Sequence, residues 1–250
     1  MRALGFELSG KTACFRKPDV NAYAYFTYNN IHKPALLGLL GSVVGFGGYT
    51  QLFEKNRIFK KGQLGYDEGY PEFYKKLRGL KVAIAPLAPH GYFGKKIQTF
   101  NNSVGYASFE QGGNLIVREQ WLENPQWQIL ILDNGSEVFQ KISEYLLGGK
   151  SVFIPYLGKN DHPAKIDEVK MVELSGFRGG YIDSLFIKNF DRLGFAKEGE
   201  RPYLFQESSP IRLQKDYHFY EYETLVFTNH EVASSPHDVY SYDGKNYAFI

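Results

Sequence analysis

Residues 33 to 45 read Lys-Pro-Ala-Leu-Leu-Gly-Leu-Leu-Gly-Ser-Val-Val-Gly, an apolar run punctuated by glycine at 38, 41 and 45. Pro34 sits where a proline belongs, at the first turn of a helix, because the N–H it lacks would be unpaired there anyway. Gly45, Gly47 and Gly48 stop that helix after about Val44. The apolar stretch from Ala35 to Tyr49 is shorter than the roughly 20 residues a membrane span needs. Gly41 and Gly45, four apart, would fit a membrane dimerisation face, but the reading that suits the length is a buried helix whose small residues let it approach a sheet closely.

Strand patterns lie on both sides of this helix. Arg2 to Ser9 alternates in part and Thr12 to Phe15 continues extended, giving a long, irregular first strand that Lys17-Pro18 ends. Lys81 to Leu87, Asn114 to Trp121, Gln128 to Leu132 and Ser151 to Tyr156 read as further strands, and Glu137 to Leu147 as an amphipathic helix. Residues 50–79 are the least regular part, with a short helix at Glu72 to Leu77. Residues 89–113 are polar, basic and too long for a hairpin loop, which predicts a long loop or projecting ribbon. The order predicts an α+β fold. Residues 1–160 form a ferredoxin-like or RNA-recognition-motif (RRM) lobe with a long insertion, and residues 161–250 a mainly antiparallel β lobe. The strands of that second lobe are Val169 to Leu174, Tyr181 to Ile187, Tyr203 to Leu213, Tyr217 to Thr228 and Val239 to Ile250.

With 250 residues, 43% of them apolar, the chain can bury a sizeable core. Its single cysteine, Cys14, excludes an internal disulfide and a cysteine-rich zinc site, and points to a reducing, cytoplasmic setting. No signal-peptide pattern is read at the N-terminus. Charge is divided unevenly: up to residue 118 there are 16 basic and 7 acidic residues, and beyond it 13 and 20. The first half is therefore the candidate polyanion-binding half, although opposite faces attracting neighbouring subunits would give the same split.

Phe15, Arg16 and Lys17 are followed by Tyr23, Tyr25, Phe26 and Tyr28. Cations beside flat rings suit single-stranded nucleic acid, because phosphates need charge and unstacked bases need a ring face. Tyr28 is the preferred stacker, and the alternative is that the charges are solvated and the rings are core. Tyr28, His32 and Lys33, completed by His90 with Lys95 or Lys96, are of the types used in metal-free RNA cleavage, although a histidine before a helix or in a turn is more often a cap or a surface residue. His218, His230 and His237 lack ligand spacing, so neither metal nor cofactor is expected. Gly45 to Gly48 follow a helix where a phosphate loop would precede one.

Phe15-Arg16-Lys17-Pro18, Tyr28-Asn29, Lys33-Pro34-Ala35-Leu36-Leu37-Gly38 and Tyr156-Leu157-Gly158-Lys159 with Pro163-Ala164 together resemble the fifth family of CRISPR-associated (Cas) proteins, in the RAMP superfamily, in its type I-B form. The resemblance spans residues 1–165. It implies a non-catalytic subunit of Cascade, the CRISPR surveillance complex, that caps the 5′ handle of the CRISPR RNA between a backbone subunit and the large PAM-reading subunit. Target DNA near the PAM is a further candidate partner, and no membrane is implied. The 89–113 insertion would be the family's thumb. The implied RNA-binding set is Phe15, Arg16, Lys17, Tyr28, Asn29, Lys33, Lys95, Lys96, Tyr106 and Lys159. One branch of the family cuts precursor RNA, so a metal-independent endoribonuclease is the alternative reading, and an assembly protein without RNA contact is a third.

Overall fold

The computed structural model describes residues 1–19, 23–58, 69–103, 105–106, 109–177, 179–190, 193–232 and 238–250. Part of the irregular stretch (59–68), positions 104, 107 and 108 of the insertion, and His237 lie outside them.

The chain begins with β1 (Arg2–Ser9) and β2 (Thr12–Ala13), then α1 (Lys33–Val44), α2 (Tyr49–Ile58) and α3 (Glu72–Leu77). Next come β3 (Val82–Pro86), a 3₁₀ turn at Pro89–Gly91, β4 (Lys95–Asn101), β5 (Ile116–Glu123), β6 (Gln126–Leu132) and α4 (Glu137–Leu147). The remainder is β-structure: β7 (Lys165–Glu173), β8 (Ser175–Gly176), β9 (Phe186–Ile187), β10 (Leu204–Leu213), β11 (Tyr220–Thr228), β12 (Asp238–Tyr242) and β13 (Lys245–Phe249).

The central sheet has the order β3-β6-β1-β7, with every neighbouring pair antiparallel. With α1 between β1 and β3 and α4 between β6 and β7, this is the split β-α-β connectivity of a ferredoxin-like lobe. The β4–β5 ribbon is inserted between the lobe's second and third strands and pairs at its base with β2, giving a second sheet of order β2-β5-β4. The long first strand therefore divides between two sheets.

Period-two alternation sends Leu4, Phe6, Leu8, Val82, Ile84, Trp127, Ile129 and Ile131 into a core with α1 and α4. The opposite face carries Ala3, Ala83, Ala85, Leu130 and Val172. The three alanines leave room for the β12–β13 hairpin, whose Tyr247 and Phe249 are 3% and 2% exposed. Side chains buried to this degree contribute about 1.5–3 kcal/mol each. The face that an RRM leaves open for bases is thus covered here over its apolar half.

Four expectations need correction. Residues 151–156 do not form the closing strand of the first lobe; that strand is β7, which pairs with β1 from Arg2↔Glu173 to Ser9↔Lys165. A boundary at residue 160 would cut the sheet, and the main core joins Leu185, Ile211, Leu213 and Leu225 to the helices of the first lobe. The glycines of α1 admit α3 instead of a sheet, since a Cβ on Gly41 would lie 2.6 Å from the Cβ of Phe73. Residues 239–250 make a hairpin, with Asp243 and Gly244 at positive φ as a two-residue turn requires.

The helix ends follow their local chemistry. His32 caps α1 by accepting from the Ala35 N–H at 3.2 Å, and Gly45 closes it at φ +80°. Ser136 caps α4 through the Phe139 N–H. Among the described residues no single helix is long and apolar enough to cross a membrane; α1 and α2 meet at a 72° bend.

Candidate nucleic-acid interface

After β2 the chain forms a short ladder with its own continuation: Lys17 N–H donates to Phe26 O at 2.8 Å, and Tyr28 N–H to Phe15 O at 2.9 Å. Alternation along this ladder turns Phe15 and Tyr28 inward and Arg16 and Tyr25 outward, and the Arg16 guanidinium lies 3.3 Å from the Tyr25 ring centroid. Tyr25 also runs alongside β5, donating to Arg118 O at 2.9 Å and accepting from Gln120 N–H at 2.8 Å.

A third segment completes the site. Leu157 O accepts from Cys14 N–H at 3.1 Å, and Gly158 is held at φ +88° so close that a Cβ would lie 2.0 Å from Cys14 O. Only glycine fits this approach, and it delivers Lys159 to the ribbon, where its ammonium meets both oxygens of Glu119 at 2.8 and 2.9 Å. Glu119 is 3% exposed and also accepts from Trp121 Nε1 at 3.1 Å. Burial alone would raise its pKa; the hydrogen bonds from Lys159 and Trp121, with the charges of Lys159 and Arg16, outweigh that and hold it below the usual range.

Between these segments, α1 and the start of α2 lies a groove of about 1080 Å³. Arg16 and Lys159 supply its cations, and Tyr25, Phe100, Tyr156 and Tyr49 are among the rings that line it. Such a cleft can take a single strand with bases against rings and backbone along charge.

Of the ten residues expected to bind RNA, the structure brings Arg16 and Lys159 into the groove, with Phe15 at its floor. Phe15 is 2% exposed and packs edge-on against Trp127 and His32, which makes it core. Tyr28 is 3% exposed and Asn29 1%, so neither offers a face to a base in this conformation. Asn29 is a fastener: its side chain donates to Gly91 O and accepts from Phe93 N–H, while its own N–H donates to the Glu207 carboxylate. Lys33 donates to Ile250 O at 2.9 Å, and burial lowers its pKa to about 8.

Lys17 lies 3.6 Å from Glu207, and Lys95 faces the same carboxylate from the base of the ribbon. Lys96 pairs with Glu123 at 3.5 Å. Tyr106 is 80% exposed near the ribbon tip. The cleavage candidates are placed equally definitely. His32 is wedged among the rings of Phe15, Tyr28 and Tyr220, and burial lowers its pKa to about 3. His90 packs on Tyr203, with centroids 4.6 Å apart.

Glu119 and Phe100 are not among the residues the sequence singles out, Tyr156 enters there only as part of the block that ends in Lys159, and Tyr25 stands behind Tyr28 as a candidate stacker. The Arg16/Tyr25 alternation was visible in the chain; the pairing of Glu119 with a residue 40 positions away was not.

No family model matches the sequence, and no curated protein does. Among solved structures, the chain is similar to one from a CRISPR RNA-guided surveillance complex, with TM-score 0.50 and 11% identity over 91% of this chain and 90% of that one. The chain has the fold of a CRISPR-associated protein. Two further structures cover almost the same length: a Cas protein (TM-score 0.45, 12% identity, 93% of this chain and 95% of that one) and a CRISPR protein from Archaeoglobus fulgidus (0.45, 10%, 99% and 98%). In this Cas-type fold the ribbon and the loop at 157–159 are the parts that frame the groove.

Proposed function

We propose that the chain is a non-catalytic RNA-binding subunit of a CRISPR surveillance complex, capping the 5′ handle of the CRISPR RNA beside a backbone subunit and the large PAM-reading subunit. The observation that carries this reading is the groove in which Arg16 is stacked on Tyr25 beneath the ribbon. A guanidinium on a ring offers a phosphate contact and a flat face together. The non-catalytic part is supported by the local commitments of the nearest candidate groups: His32 caps a helix, Lys33 holds a backbone carbonyl, and the Tyr28 hydroxyl meets another tyrosine.

The test is to purify the protein with the products of neighbouring genes and sequence the RNA that accompanies it. A discrete set sharing one protected 5′ end is the expected result, and the absence of discrete RNA would overturn the reading. Site-specific cleavage of precursor RNA by the protein alone in EDTA would instead make it an endoribonuclease.

A further inference from the structure

The ribbon end of the groove is not the cationic surface that the basic first half of the chain suggests. Lys159 Nζ touches both Glu119 oxygens and lies 3.8 Å from Asp161. The node therefore carries two carboxylates against two cations, Lys159 and Arg16, the latter drawn over Tyr25. A phosphate approaching Lys159 would meet the Glu119 charge directly behind it, and the short two-oxygen contact leaves little of the ammonium's attraction for a second anion. What this end does offer is a donor and an acceptor at the surface, since the side chains of Lys159 and Asp161 are 31% and 59% exposed. An apolar ring stands beside them: the Phe100 centroid is 5.6 Å from Lys159 Nζ.

We propose that the Glu119–Lys159 end of the groove is a nucleoside subsite, taking an uncharged base with its ribose against Phe100, while phosphates are met at Arg16. This rests on the reading that the groove holds single-stranded RNA. Glu119 is then a positioning residue, which cancels the charge of Lys159 and fixes its direction. A base is favoured because stacking on Phe100 involves no charge, and because the Lys159 donor and Asp161 acceptor stand in a node whose charges balance and so give a phosphate little net attraction.

Binding of a labelled oligouridylate across a salt series tests the assignment, because each phosphate contact to a single strand adds about 0.7 to the slope of log K against log salt. Arg16→Ala should make the slope shallower by about that amount. The double variant Glu119→Gln with Lys159→Met, which replaces the pair by neutral groups of similar size, should keep the wild-type slope. Glu119→Gln alone should steepen it by about 0.7, since Lys159 is released to a phosphate. If the single variant melts before it can be measured, the double variant still decides: a slope as shallow as that of Arg16→Ala would make Lys159 a phosphate contact and overturn the proposal.

An abasic oligomer of the same length should bind the wild type about tenfold more weakly than oligouridylate, by the loss of stacking. Equal binding of the two would also overturn it. Discrete co-purifying RNA together with a failed double-variant result sinks the subsite alone. Failure to bind any RNA sinks the groove reading, and the subsite with it.

Discussion

The Tyr28 hydroxyl lies 3.2 Å from that of Tyr222, joining the segment before α1 to β11 across 194 positions of sequence. With its ring buried and Lys17 Nζ 5.1 Å from the centroid, Tyr28 is a clamp between the two parts of the chain. Tyr28→Ala should therefore cost about 3–5 kcal/mol of stability, and Tyr28→Phe, which keeps the packing, about 1 kcal/mol. Thermal melting measures both. An unchanged melting temperature with a loss of RNA affinity would return Tyr28 to the role of a base stacker.

His32 gives the fold an acid limit. Its folded pKa near 3 lies below the ordinary 6.5, so between those values the unfolded chain takes up a proton that the folded chain refuses. The stability contributed is complete above about 6.5 and is lost as pH falls toward 3, by up to about 1.4 kcal/mol per pH unit. His32→Asn keeps a capping side chain without the titration. Urea midpoints taken at about pH 7.5 and about pH 5 should converge in this variant relative to wild type; an equal drop in both proteins would clear His32 of the effect.

Gly158→Ala should displace the loop that carries Lys159. A Cβ there meets Cys14 O at 2.0 Å, and φ is +88°. Backbone on both sides of the clash leaves no flexible side chain to yield, so the cost should exceed about 2 kcal/mol. Melting temperature and oligonucleotide affinity should fall together, whereas Gly112→Ala, also at positive φ but in open space at the ribbon tip, should cost less.

The ribbon has a structural base and an expendable tip. Phe93 is 4% exposed within the main core, and β5 carries the fully buried Leu122. A linker replacing residues 92–112 should therefore lower the melting temperature, contrary to what a freely projecting thumb implies. Replacing only 102–114 by a tight turn between Asn101 and Leu115 should leave melting unchanged while weakening assembly around RNA. Equal melting of the two deletions would show that Phe93 contributes little.

The elements legible from sequence were those with strong local punctuation. Pro34 and Gly45 bounded α1, and the amphipathic pattern of 137–147 marked α4. By contrast α2 buries none of its residues, so no apolar stripe announced it among the charges of 49–58. Ser151 to Tyr156 looked like a strand because it is apolar, yet Phe153 and Ile154 are 55% and 80% exposed, and the loop is tied down by Val152 and Phe153 N–H groups donating to the last carbonyls of α1. The Asp243-Gly244 turn was a readable signal that a continuous strand reading passed over. At the site, Arg16 and Lys159 were readable because they flank glycine, proline and rings. Glu119 was not, since nothing in its neighbourhood of the chain shows that a lysine from a distant loop will neutralise it.

The covered sheet face has a consequence for the order in which the molecule can be made. Ala3, Ala83 and Leu130 are translated long before Tyr247 and Phe249, which shield them, and Val82 exchanges backbone hydrogen bonds with Ile250 at 3.2 and 2.9 Å. A nascent chain that has already built its helices and its first three sheet strands still presents an apolar patch and an unpaired edge to its surroundings. Such surfaces favour aggregation. Fragments ending before β12 should accordingly collect in the insoluble fraction, and the yield of the full chain should depend on how quickly its terminal hairpin follows the rest off the ribosome.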